Sequence, residues 1–308
     1  TASAFKENIL VPFGGGKDSL VTGEFLKKIG KTFSWFELEP LPFGKRLMDL
    51  SGVTETISLK RDVEKNFAPI MSLVKKGAPN GHVPITATYI FSAVLAAKTF
   101  GYTDVVLSLE RSADFGNVEY LGSVINHQYS KSFEFEQAAA AYIHEYVDPH
   151  LQVFSLLRPL YEIQIIREFV KYPRYFGTFI SCNRGLKSST WCGECAKCAF
   201  MFAGLSAFLA PQEVISIFGK NLFEDAKRIP LYRDMIGKGS MKPFDCVGTF
   251  EENLLALYLA TENYKKAGMT LPEVLTSLPV LEGAKHLSLL DAFGEHATPL
   301  SYQTAWKK

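Results

Sequence analysis

Three consecutive glycines, Gly14-Gly15-Gly16, stand between an apolar run, Ile9–Phe13, and a helix-spaced stretch, Ser19–Lys28, whose Leu20, Phe25 and Leu26 suit one face. That is a strand, a tight turn and a helix. The same rhythm continues along the chain. Phe33–Leu38, Thr54–Leu59, Asp104–Leu109, Gln152–Leu156 and Tyr175–Ser181 read as strands, and Ala87–Thr99, Ser132–Val147 and Leu160–Val170 as helices. Lys75–His82 reads as a loop from its Gly and Pro content. Apolar strands alternating with helices of this length predict an α/β fold with a parallel sheet covered on both faces.

The texture changes after Cys198. Ala199–Leu209, Gln212–Phe218, Phe250–Ala260 and Pro272–Leu278 have helical spacing, and no strand pattern remains. The 308 residues exceed the usual size of one undivided core. The expectation is an α/β domain over residues 1–210, a helical subdomain over 211–308, and a loose terminal segment, Gly294–Lys308.

A formal charge of +1, from 33 basic and 32 acidic residues, argues against a protein that works mainly on duplex nucleic acid or an anionic membrane. The most apolar stretch, Ala199–Ala210, is too short to span a bilayer. No positive-then-apolar leader opens the chain. The five cysteines are odd in number and four of them crowd together, which fits a reducing compartment and a metal site better than a disulfide framework. Cytoplasm is the expected location.

Gly14-Gly15-Gly16-Lys17-Asp18-Ser19 has the chemistry of a phosphate cradle. Glycines let the backbone approach an anion, and a helix start adds unpaired N–H groups and the positive end of a dipole. Lys17 can neutralise a phosphate, Ser19 can donate a hydroxyl, and Asp18 can hold magnesium. The spacing is not the Walker pattern, which needs four residues between its first glycine and Gly-Lys-Ser/Thr. The bland alternative is an ordinary tight turn.

The second cluster is Cys182-x9-Cys192-x2-Cys195-x2-Cys198, four soft ligands at spacings that a tetrahedral zinc accepts. An iron–sulfur cluster is the metal alternative. Four protein ligands leave no open position, so a structural role is favoured. The loop is expected to pin the last strand to the next helix and to order Asn183, Arg184 and Lys187.

Gly14–Ser19 resembles the PP-loop of the ATP pyrophosphatases, Ser-Gly-Gly-x-Asp-Ser, with Gly14 in place of the leading Ser. The resemblance implies a Rossmann-like fold of the adenine nucleotide alpha-hydrolase kind. It also implies cleavage of ATP between the α and β phosphates, with Gly14, Gly15, Gly16, Lys17, Asp18 and Ser19 around the nucleotide. Two branches of the family combine such a loop with a cysteine cluster: the deazaguanine nitrile synthases, and the ATP-dependent epimerases of UDP-N-acetylmuramoyl-L-alanyl-L-glutamate, a peptidoglycan precursor. Seven further segments, in order, are similar to the epimerases. They are Glu110-Arg111-Ser112-Ala113, Gly116-Asn117, Asn126–Ser132, Leu157–Leu160, Ser181–Arg184, Trp191–Cys195 and Lys242–Gly248. In that branch a further region precedes the loop.

The epimerase resemblance implies ATP, magnesium and structural zinc, and a small UDP-muramoyl-dipeptide rather than a nucleic acid or membrane partner. Glu110, Arg111 and Ser112 follow a strand at the carboxyl edge, where open α/β sheets bind ligands, and are assigned to the nucleotide. Asn117, Lys131, Arg158, Arg184 and Lys242 are assigned to the anionic substrate. His127 is the first candidate for acid or base and Cys246, beside Asp245, the second.

Overall fold

The structure is a computed structural model that describes residues 8–61, 64–78, 83–182 and 184–306. In chain order, the first half runs β1 (Ile9–Pro12), α1 (Lys17–Lys28), β2 (Phe33–Leu38), α2 (Gly44–Ser51), β3 (Thr56–Leu59), α3 (Glu64–Lys75), α4 (Ile85–Phe100) and β4 (Asp104–Leu107). A small hairpin follows, β5 (Val118–Tyr120) and β6 (Ser123–Ile125), then α5 (Phe133–Tyr146), β7 (Gln152–Ser155) and α6 (Glu162–Phe169). The remainder is α7 (Ala196–Ser206), α8 (Pro211–Phe218), α9 (Ile229–Met235), α10 (Phe250–Lys266) and α11 (Glu273–Thr276).

Five strands form one sheet in the order β3-β2-β1-β4-β7, each pairing parallel to its neighbour. Side chains on a strand alternate between faces, and both faces here are buried. In β2, Phe33 and Trp35 enter one core while Phe36 and Leu38 enter the other. That is why the large apolar residues of β2 fall on both alternating sets of positions rather than on one. The first face is covered by α1 through Leu20, Val21 and Phe25, and by α6 through Ile163 and Ile166. The second is covered by α4 through Ile90, Ala93 and Val94, and by Ile143 of α5.

The helices after residue 211 share the first core with the sheet, which runs continuously from Ile9 to Ala305. The start of α10 shows how they are joined. Thr249 Oγ1 accepts from Glu252 N at 3.2 Å, and Glu252 Oε2 accepts from Thr249 N at 2.8 Å, a reciprocal cap. The other oxygen of Glu252 accepts from Ile163 N at 3.0 Å, which fixes α10 to α6.

Two expectations need correction. Tyr175–Ser181 is not a strand. Thr178 N and Phe179 N both donate to Tyr175 O, closing a helical turn. Its aromatic residues are buried around Phe169, with Phe179 at 4.6 Å between ring centroids, rather than in a sheet. Gly294–Lys308 is not loose over its described residues. Thr298 Oγ1 donates to Ser155 O, Trp306 Nε1 donates to Leu156 O, and Tyr302 is buried against Phe154. The helices α2, α3 and α9 and the β5–β6 hairpin are absent from the sequence reading. Residues 79–82 of the Lys75–His82 loop, and Asn183, lie outside the described residues.

Candidate active site

Winding in the sheet reverses between β1 and β4, and ligands of open α/β sheets occupy the crevice at the carboxyl edge of such a switch point. A cleft of about 300 Å³ opens there. Gly14, Gly16, Asp18 and Ser19 line one side of it, Ile85, Thr86 and Tyr89 of α4 another, and Ser181, Leu186 and Lys197 a third. The glycines have separate tasks. Gly15 has φ of +72°, and a Cβ there would stand 2.6 Å from Leu41 and 2.7 Å from Phe43. Only glycine fits that position without strain. Gly14 is exposed, and a Cβ on it would meet nothing within 4 Å. Gly16 is the cap residue of α1, with no side chain capping the N–H groups that follow.

Lys17 does not line this cleft, contrary to the phosphate role read from the sequence. Its side chain is buried and its ammonium bonds both Asp18, at 2.6 Å, and Glu162. Burial works to lower its pKa, and the two carboxylates outweigh burial and hold it above the ordinary lysine value. The same pair is felt by Glu162, which burial pushes up to about 7 against the pull of Lys17. Glu162 Oε1 has no hydrogen-bond partner among the described residues. For Asp18, burial acts upward, but Lys17 and Lys197 overcome it and hold the carboxyl below its usual range.

A second cavity, about 190 Å³, adjoins the first and shares Ile85, Thr86 and Lys131 with it. His127, Gln128, Asp245 and Cys246 line it. Lys131 Nζ donates to Cys246 Sγ at 3.0 Å, and the thiol contacts Gln128 Oε1. Burial works to lower the Lys131 pKa, but Cys246, Glu110 and Asp18 hold it above the ordinary value, so the ammonium stays charged. The His127 ring is fixed on two sides, by Asn117 Oδ1 at Nδ1 and by the edge of Phe244 at 5.6 Å between centroids. Asn117 is itself tied to Pro243 O at 3.0 Å, so it orients the histidine and joins the 117 and 243 segments. Lys242 is buried over the Phe250 ring, and burial lowers its pKa.

Several candidates stand behind the cavities rather than in them. Arg158 is 1% exposed, and its guanidinium is engaged by Glu136, Glu110 O and Lys131 O. It lines neither cavity, so the structure does not bring it to the substrate position read from the sequence. Arg111 packs over the Tyr161 ring at 5.0 Å, Ser112 Oγ accepts from Glu162 N, and buried Glu110 lies beneath the lysines. None of the three lines either cavity; in this segment the cleft lining ends one residue earlier, at Leu109. Arg184 is exposed and lines neither cavity.

The cysteine cluster forms as expected. The sulfurs of Cys182, Cys192, Cys195 and Cys198 lie within 4.8 Å of one another. Cys182–Cys195 is 3.7 Å, while Cys192–Cys198 and Cys195–Cys198 are each 3.6 Å. These separations are far too long for disulfides. A tetrahedral ion with bonds of about 2.3 Å holds its sulfurs about 3.8 Å apart, so the four thiols fit a metal such as zinc. Gly185 N and Glu194 N donate to Cys182 and Cys192, and Gly193, at φ +67°, makes the turn that lets its neighbours converge.

Sequence reasoning missed Lys197, Tyr89 and Glu162, and gave Ser181 no role of its own. Lys197 was hidden as a spacer between Cys195 and Cys198, and Glu162 as one polar residue of an amphipathic helix. The distance in sequence between Glu162 and Lys17 left no local signal.

The described residues thus define an α/β protein with a ligand-sized cleft at the switch point of a parallel sheet, a side chamber holding His127 and Cys246, and a four-cysteine cluster whose loop forms one wall of the cleft. Comparison with known proteins agrees and goes further. Residues 1–156 match the MurL N-terminal domain and residues 178–282 the MurL C-terminal domain. The chain belongs to the MurL family. A relative from Xanthomonas oryzae pv. oryzae is 37% identical over 83% of this chain and 57% of its own length. One from Micromonospora is 37% identical over 81% of this chain and 56% of its own, and one from Salinispora tropica 36% over 81% and 54%. All three are named UDP-N-acetyl-alpha-D-muramoyl-L-alanyl-L-glutamate epimerase. The chain spans little more than half the length of these relatives. No described helix is long and apolar enough to cross a membrane.

Proposed function

We propose that this chain carries the site at which the terminal L-glutamate of UDP-N-acetylmuramoyl-L-alanyl-L-glutamate is activated by ATP and epimerised to D-glutamate. The carrying observation is that the glycine-lined cleft and the His127–Cys246 chamber meet at one charged lysine, Lys131. The PP-loop resemblance and the names of the relatives support the same reading, as does a switch-point cleft of Rossmann-like type.

The α-proton of a free glutamate is hard to remove because the carbanion forms beside a carboxylate. Adenylation removes that charge. A carboxylate oxygen bonds to the α-phosphorus, the bond from that phosphorus to the β-bridging oxygen breaks, and pyrophosphate leaves. The backbone of Gly14–Gly16 and the uncapped start of α1 hold the departing phosphates, and Lys131 faces the charge that develops between the cavities. In the chamber one group takes the α-proton and another returns a proton to the opposite face. His127, oriented by Asn117, and Cys246, beside Lys131 and Asp245, are the pair we assign. Water then cleaves the adenylate to D-glutamate and AMP.

Magnesium, when bound, offsets phosphate charge, and the cleft-lining carboxylate of Asp18 is the hard oxygen donor that suits it. Zinc in the cysteine cluster has a structural role, since all four ligands come from the protein. Arg184 is exposed outside both cavities and is assigned to the outer part of the large substrate, whereas Lys242 is buried against Phe250. The reaction belongs to the cytoplasm, where the nucleotide-linked precursor and ATP meet.

The test is incubation with ATP and the UDP-linked dipeptide in deuterated water. Deuterium at the glutamate α-carbon, with AMP released, is expected. ATP cleavage driven by a deazapurine acid and ammonia, with no α-deuteration of the dipeptide, would replace this reading with the nitrile-synthase one.

A further inference from the structure

The cysteine loop does more than close on itself. Ile180 and Ser181 precede Cys182, Leu186 lies within the loop, and Lys197 sits between Cys195 and Cys198; all four line the cleft. Ile180 N donates to Gly15 O at 3.4 Å, and Ser181 Oγ stands 3.1 Å from where a Cβ of Gly16 would be. The loop is therefore packed directly on the glycine turn and forms a wall of the cleft.

The charges of that wall decide what it meets. Lys17, the lysine of the glycine motif, is turned away and held by Asp18 and Glu162. Lys131 is engaged by Cys246 at the far end, where the two cavities join. Lys197 is half-buried, lines the cleft on the first turn of α7, and makes no hydrogen bond or ion pair among the described residues. A polyphosphate entering the cleft would find in it a cation that is already desolvated in part and is held by no direct hydrogen bond or ion pair among the described residues, only by the longer-range attraction of Asp18 and Glu162, which favours a charge-assisted contact.

We propose that Lys197 is the cation that the cysteine loop presents to the phosphates of the bound nucleotide, so that metal in the loop and nucleotide in the cleft strengthen each other's binding. The proposal rests on the nucleotide reading of the cleft. Two of the metal ligands flank Lys197 at one and two residues' distance, so the ion fixes the first turn of α7 and with it the origin of the lysine side chain. An empty loop leaves that origin free, and the nucleotide then carries the ordering cost. Linkage requires the converse with the same factor: bound nucleotide raises metal affinity.

The experiment measures Kd for α,β-methylene-ATP, which cannot be split at the α–β bond, by calorimetry. The protein is compared as wild type, Lys197→Met and Lys197→Arg, and as zinc-loaded and chelator-treated wild type. Zinc content of each variant is determined alongside, as a check that the loop has formed. Lys197→Met is expected to weaken binding about tenfold to a hundredfold at unchanged zinc content, the range of a lost hydrogen bond to a charged group. Lys197→Arg should restore most of it. Zinc depletion should weaken binding at least as much, and saturating nucleotide should slow zinc release to a chromogenic chelator. An unchanged Kd in Lys197→Met, with tight binding by the wild type, overturns the proposal while the nucleotide reading stands. Wild-type protein that binds no nucleotide overturns that reading itself.

Discussion

The two cavities that meet at Lys131 are built in opposite ways. The cleft is made of backbone on rigid elements, with Gly14–Gly16 between β1 and α1, at the reversal point of the sheet. The chamber is made of side chains from two loop segments far apart in the chain, His127–Lys131 and Phe244–Cys246, joined by Lys131 to Cys246 and by Asn117 to Pro243. A cradle for phosphate needs amides that do not move, and a short strand–turn–helix supplies them locally. Moving a proton between two faces of one carbon needs two groups on opposing walls, which only tertiary structure can supply.

The sharpest way to break this contrast is to disable one cavity alone. Asn for His127 or Ala for Cys246 should lower α-deuterium exchange by about 10²–10⁴-fold, the usual worth of an acid–base group. Dipeptide-dependent release of pyrophosphate should continue, because the cleft is untouched. Equal loss of both activities would mean that the chamber does not act after adenylation.

Arg158 comes next in size. Met at this position leaves Glu136 buried and unpaired and frees Lys131 O, so denaturant unfolding should show a loss of about 3–5 kcal/mol. A change in substrate KM at unaltered stability would instead return Arg158 to the substrate.

The glycines test the cleft itself. Ala for Gly15 forces a side chain into a left-handed backbone against Leu41 and Phe43, at a cost of about 1–3 kcal/mol in thermal unfolding and with weaker nucleotide binding. Ser for Gly14, which restores the family's usual residue, meets nothing within 4 Å and should leave both unchanged.

The smallest effect concerns Glu162. Burial raises its folded-state pKa to about 7, above the ordinary value of 4.5, so the folded protein binds more protons between those pH values. Stability from this group is therefore present below about pH 4.5 and is lost as pH rises through about 7. Gln at 162 should flatten that part of the pH–stability curve; an unchanged slope would show that Glu162 stays ionised throughout.

The legible parts of the molecule were those whose cause is local. The bounds of β2 follow directly from its aromatic and β-compatible run, buried on both faces. The convergence of the four sulfurs followed from their spacing, because Cys192, Cys195 and Cys198 fall within one turn and the start of α7. Lys17 misled for the opposite reason: its neighbours are those of a phosphate lysine, yet its partner Glu162 comes from α6. Tyr175–Ser181 has the composition of a strand, but its aromatic rings found burial around Phe169 without a ladder. The segment after Gly294 shows no periodicity, since single bonds to the ends of β7 and its flanking loop hold it, rather than a repeating face.

The central claim is that a carboxylate oxygen passes from the chamber to the α-phosphorus in the cleft. Substrate labelled with oxygen-18 in the glutamate α-carboxylate reads this directly, by mass analysis of the nucleotide product. One labelled oxygen in the phosphate of AMP is the expected result, because the bond formed to phosphorus survives when water attacks the acyl carbon. Unlabelled AMP, or ADP with orthophosphate in its place, would contradict the account.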